Sequence, residues 1–294
     1  MAIDEYARWL GRLVVVVAVI IIVWGASVIL SQPVTGWFAA SATISMALLL
    51  ISVLWQLRGS FTSIAASALA TAVVSRLFGI LNLNPPNSLA GLKPDDLDLL
   101  VATGPGVPGF VFLGWFLGAL IFVQFILRAA SAAASAQARD TSLNVSSLTF
   151  IRVYVGLMFT PHFASHILGG PFQFKIYTLY FASLGLPMPA MQVLLAGSVE
   201  LISAIGLVLG LFTRPVALLA SVYLLMSMLW GGHFHIGYVW ALPGGGYEFG
   251  LFWAVMVAVF AVLGGGHNSV DSKLWQSEPA RRLLPQTIRK ILAG

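Results

Sequence analysis

An all-α integral membrane protein with about eight transmembrane helices is predicted by three observations. The 294-residue chain is 59% hydrophobic and 9% charged, whereas soluble domains carry about 25% charged residues. Apolar runs of about 20 residues recur, the length that crosses about 30 Å of hydrocarbon. Counted as crossings, those runs sort the basic residues onto one side, as the positive-inside rule requires.

The crossings are read at 13–31, 37–57, 61–80, 109–128, 148–168, 189–211, 215–232 and 248–265. Arg8 and Arg12 precede an apolar run, as in a signal peptide. That run is too long, and no small-x-small cleavage site follows, so it is expected to be a retained first span. The 61–80 segment is rich in Ala, Ser and Thr and carries Arg76, and the 148–168 segment is interrupted by Arg152, Pro161, His162 and His166. Helices inside a bundle tolerate such content, because only a lipid-facing surface must be apolar. With eight crossings and the N-terminus inside, every Lys and Arg except Lys93, Lys175 and Arg76 falls on or near the inner side. Removing one crossing inverts everything after it, so both termini are expected to be cytoplasmic.

This order divides the chain into a four-span region at 1–128, an Ala/Ser-rich cytoplasmic linker at 129–147, a second four-span region at 148–271 and a tail at 272–294. Leu274, Trp275, Leu283, Leu284, Ile288 and Ile291 alternate with Arg and Lys in the tail, the pattern of a basic segment lying on the inner leaflet. The outer loop 81–108 holds Asp95, Asp96 and Asp98. Carboxylates favour a helix start, and that reading outweighs a metal site. The net charge of +5 follows from the cytoplasmic flanks and is no nucleic-acid footprint. Absence of cysteine excludes disulfides, thiolate metal sites and thiol redox chemistry.

The residues able to carry chemistry concentrate in the second region. His162 and His166 are four apart, on one helical face. His233 and His235 close the seventh span, and Glu248 opens the eighth at the same level. Glu200 lies halfway through the sixth span beside Gly197, Ser203, Ala204 and Gly206. A mid-membrane carboxyl normally faces the bundle interior and has a partner, and small residues allow close helix approach. Glu200, His162 and His166 are therefore read as catalytic candidates. His233, His235, Glu248 and Arg152 are read as cofactor-binding candidates, and no metal site is assigned. For His233 and His235 singly, a headgroup anchor is an equally good reading, as it is for Tyr238 and Trp240.

Several pieces of 148–271 occur in a recognisable order: Phe150–Phe159 opening a helix, Leu184-Gly-Leu-Pro187-Met-Pro189, Gly197-Ser-Val-Glu200 through Phe212-Thr213-Arg214, Gly-Gly-Tyr247-Glu248, and Gly264-Gly-Gly-His267-Asn-Ser-Val-Asp271. In this order and spacing they resemble the DoxX family of bacterial and archaeal four-helix membrane proteins. The resemblance is greatest to the DoxD type, the small subunit of thiosulfate:quinone oxidoreductase. Many relatives place a lysine where this chain has His166. The resemblance implies a four-helix bundle in the cytoplasmic membrane that oxidises a small sulfur anion and passes electrons to quinone. His162 and Glu200 would supply protons, and His233, His235, Arg76 or Lys175 would attract the anion. No flavin fingerprint and no CxxCH haem site is present. Two other readings stand beside this one. One is a non-catalytic assembly subunit bound to partner proteins. The other is a haem b or metal protein using His162, His166, His233 and His235.

Overall fold

The computed structural model describes residues 2–82, 107–133, 139–278 and Pro285. Asp95, Asp96 and Asp98, and the tail residues Leu283, Leu284, Ile288 and Ile291, lie outside the described residues. The protein is an all-helical, multi-pass membrane protein without strands among the described residues.

Four long helices come first: α1 (Ala2–Ser31), α2 (Gly36–Gln56), α3 (Phe61–Leu81) and α4 (Pro108–Ala132). Local chemistry sets their starts. Thr35 accepts from the Phe38 amide and Ser60 from the Ser63 amide, satisfying first-turn donors that no carbonyl reaches. Pro108 opens α4, where its missing N–H removes a donor that would go unpaired anyway. Gly59, at φ 72°, reverses the chain between α2 and α3.

The chain then runs through α5 (Arg139–Leu157), the single turn α6 (Thr160–Phe163) and a π-turn at Ala164–Leu168. Next come α7 (Pro171–Ser183), α8 (Pro189–Leu209), α9 (Thr213–Trp230), the short α10 (His233–Ile236), α11 (Glu248–Leu263) and α12 (Val270–Gln276). Among the described residues six helices are long and apolar enough to cross a membrane: α1 from Ile3, α2, α3, α4, α8 and α9. The 61–80 segment is among them despite Arg76. The final expected crossing, α11, is apolar but has 16 residues, about 24 Å of helix. The expected crossing at 148–168 is not one helix. α5 begins at Arg139, inside the stretch read as a linker, and ends at Leu157. Pro161 would clash with the carbonyl four residues back inside a continuous helix. The break at Met158–Phe159 puts it in the first turn of a new one.

Two compact units result, and they do not follow chain order: Met1–Leu143 with Thr160–Ser198, and Asn144–Phe159 with Val199–Gly294. In the first, α1 packs on α2 and α4, and α3 on α2 and α4, while α6 and the π-turn lie on α3. Its centre is aromatic. Phe78 and Phe110 stack at 4.0 Å between centroids, with Phe38 edge-on to Phe78 at 5.8 Å. A Cβ on Gly25 would meet Met46 Sδ at 2.6 Å, the close approach that small residues permit in membrane bundles. Buried polar side chains are used in pairs: Gln56 donates to Gln124 at 2.5 Å, and Gln124 to the Ala7 carbonyl.

In the second unit α9 and α11 form the largest helix pairing. Trp253 of α11 donates to the Val155 carbonyl at 3.1 Å, and its ring lies 4.4 Å from that of Phe159. Gly156 sits where α5 meets α8: a Cβ there would fall 2.9 Å from Leu207 Cβ and 3.0 Å from the Val208 amide. Gly156→Val should therefore destabilise the detergent-solubilised protein by about 1–3 kcal/mol, read as a lower Tm. Gly118→Ala, with nothing within 4 Å, should raise stability by about 0.5–1 kcal/mol. Equal Tm values for the two variants would contradict this packing.

Candidate functional site

The turn between α8 and α9 is where two of the second unit's buried charged side chains, Arg152 and Asp271, converge. Helix ends leave carbonyls and amides without intrahelical partners, and hydrocarbon offers no water to satisfy them. Arg152, 1% exposed on α5, answers one end. Its Nη1 donates to the Leu207 and Val208 carbonyls at the C-terminus of α8, and its Nη2 to the Asn268 carbonyl at 3.0 Å. Asp271 answers the other end. Its carboxylate accepts from the Phe212 amide at 2.7 Å, and from the Thr213 amide and hydroxyl at 2.8 Å each, and its own amide donates to the Gly210 carbonyl. The cation thus meets the negative end of one helix dipole and the anion the positive end of the next. Gly210, at φ 66°, leaves the room: a Cβ would lie 2.4 Å from Ser269 Cβ.

About halfway along α8, Glu200 is 2% exposed. The Tyr223 hydroxyl on α9 donates to its Oε1 at 2.5 Å. Close helix approach permits this, since a Cβ on Gly206 would fall 2.7 Å from Val216 Cγ1. One turn along α8 from Glu200, the Ser203 hydroxyl is fully buried and makes no hydrogen bond. Three oxygen-bearing side chains therefore sit in an apolar helix pair. Tyr223 was not among the sequence-derived candidates, yet it was findable: Glu200 and Tyr223 lie equally far along the chain on either side of the Leu211–Phe212 turn.

At the far end of α9 the loop 237–248 is folded on itself. The Gly246, Tyr247 and Glu248 amides donate to the carbonyls of Val239, Gly237 and Tyr238. His233 Nδ1 contacts the Gly245 carbonyl at 2.6 Å, and Glu248 Oε2 accepts from the Trp240 amide at 3.2 Å. Phe234 and Tyr238 pack on Tyr247, and Trp240 on Phe249. His233 and Glu248 thus meet in one loop and brace its backbone, while His235 is exposed.

His162 and His166 belong to the first unit. His162 is exposed, and His166 is 5% exposed with its ring edge-on to Tyr177 at 4.3 Å. The π-turn separates them from regular α-helical spacing. Among the described residues no group of three or more His, Asp or Glu is placed to hold a metal ion.

Residues 147–233 match the DoxX family, so the chain carries a DoxX family domain. It contains α8, α9, Arg152, Glu200 and Tyr223. Over 55 residues the chain is 46% identical to the inner membrane protein YphA of Escherichia coli, covering 19% of this chain and 39% of that protein. Over 129 residues it is 29% identical to an uncharacterized protein of Haemophilus influenzae, covering 44% of this chain and 91% of that one. The chain thus spans less than half the length of YphA. No solved structure matches.

Removal of the Asp271 carboxylate should strand two helix-end amides. Asp271→Ala is expected to cost about 2 kcal/mol or more in detergent melts, with Asp271→Asn between it and wild type. A wild-type Tm for Asp271→Ala would remove the capping role.

Proposed function

We propose that this protein, with its DoxX family domain at residues 147–233, works in quinone-linked redox metabolism, and that Glu200 with Tyr223 is its proton-handling pair. The buried phenol–carboxyl hydrogen bond halfway along two membrane helices carries this reading. An ionisable group at that depth is costly and by default functional. Reduction of a quinone takes two electrons and two protons. A carboxyl hydrogen-bonded to a phenol can hold one proton and orient a donor towards a ring carbonyl, and the unpartnered Ser203 hydroxyl offers a further polar contact. The DoxD likeness supplies the electron source in this proposal, a small sulfur anion oxidised as the quinone is reduced. We place the chain in the bacterial or archaeal inner membrane, both termini cytoplasmic. The name of YphA and the sidedness of Lys and Arg support that placement.

A second reading, a non-catalytic assembly subunit for partner proteins, draws support from one observation. Arg152, His233 and Glu248 all direct polar atoms to backbone groups, as residues that build a scaffold do.

Purified protein should carry quinone detectable by extraction and chromatography. Glu200→Gln and Tyr223→Phe should each lower bound quinone and quinone reduction by about tenfold while keeping the Tm within a few degrees. Unchanged quinone content in both variants would favour the assembly reading, and a Soret band would point to haem instead.

A further inference from the structure

We propose that Arg76 and Ser165 form a binding site for an oxyanion, carried either on a lipid headgroup or by a free phosphate-like ion. The site lies wholly within the first unit and is independent of Glu200 and Tyr223.

Arg76 sits on α3, five residues before its end at Leu81, hence about 7 Å inside the helix terminus. A long cationic side chain at that depth ordinarily bends its head towards water. Here it does not. Nε and Nη2 both donate to the Ser165 hydroxyl, at 3.0 and 2.7 Å. Ser165 is fully buried and gives its own proton to the Pro161 carbonyl at 2.7 Å. Its oxygen therefore acts as acceptor for the guanidinium alone.

The π-turn makes this possible. Its wider winding frees carbonyls from the regular ladder, and Trp37 Nε1 donates to one of them, Ile167, at 3.0 Å. On the following residue, His166 is held by Tyr177. The hydroxyl that grips Arg76 is thus fixed from both sides before any ligand arrives.

Among the described residues no carboxylate forms an ion pair with Arg76. A guanidinium has five N–H donors. Two are spent on Ser165, leaving the outer edge across Nη1 and Nη2. That planar edge matches two oxygens of a phosphate, sulfate or carboxylate group in bidentate fashion. A half-buried, oriented cation near a helix end, with no carboxylate paired to it among the described residues, is a place for an anionic group.

The full chain in maltoside, followed by intrinsic tryptophan fluorescence on heating, tests the proposal. Inorganic phosphate and sulfate are titrated at constant ionic strength. In parallel, native mass spectrometry counts phosphatidylglycerol retained from mixed phosphatidylglycerol–phosphatidylcholine micelles. A saturable Tm rise with phosphate or sulfate, weakened about tenfold or more in Arg76→Gln, supports a free anion. Retained phosphatidylglycerol lost in Arg76→Gln, with no response to the free ions, supports a headgroup. Arg76→Lys, which keeps the charge without the fork, and Ser165→Ala, which keeps the fork without its anchor, should each weaken binding and serve if Arg76→Gln fails to fold. Equal responses in wild type and in every folded variant overturn the proposal.

Discussion

A helix that ends inside or at the edge of hydrocarbon must find partners for its terminal backbone groups, and in the second unit that requirement is met from far along the chain. Arg152 serves the carbonyls that close α8, and Asp271 serves the amides that open α9. The α8–α9 turn itself is tight, with Gly210 and Phe212 both at positive φ. Without the two side chains the turn would expose bare amides and carbonyls to a medium unable to solvate them. With them, it becomes a fixed corner against which α5 and α12 are also placed.

The corner sets the register of everything further along both helices. In an α-helix a slip of one residue turns a side chain by about 100°, enough to move Glu200 out of reach of Tyr223. The close approach at Gly206 and Val216 keeps the two helices near enough for a phenol to span the gap. The mid-span pair thus depends on backbone capping some eleven residues away at the turn. The geometry at that depth is decided at the turn.

How much of this could be read in the sequence varied with the kind of interaction. Hydropathy located the long helices, but it read 148–168 as one crossing, where the chain breaks at Met158–Phe159 just before Pro161. Glu200 stood out because a mid-span carboxyl is rare. Its partner did not, because a tyrosine in a membrane helix reads as an anchor until the turn position is used to match depths. The roles of Arg152 and Asp271 were hidden for another reason: their partners are backbone groups, which leave no residue-type signature. His233 and Glu248, read as cofactor-binding candidates, make contacts that brace a loop, another use of backbone partners that residue type does not announce. The π-turn was invisible as well, since it is held by Trp37 and Arg76, 130 and 89 residues distant from their partners, and no local pattern encodes that.

Asp271 follows Thr213 by 58 residues. At translation rates of about 5–20 residues per second, the hairpin of α8 and α9 waits about 3–12 seconds after synthesis of Thr213 before its cap exists. Until then the Phe212 and Thr213 amides lack the carboxylate that caps them. The corner that sets the register of α8 and α9 is thus complete only once Gly264–Asp271 has been synthesised.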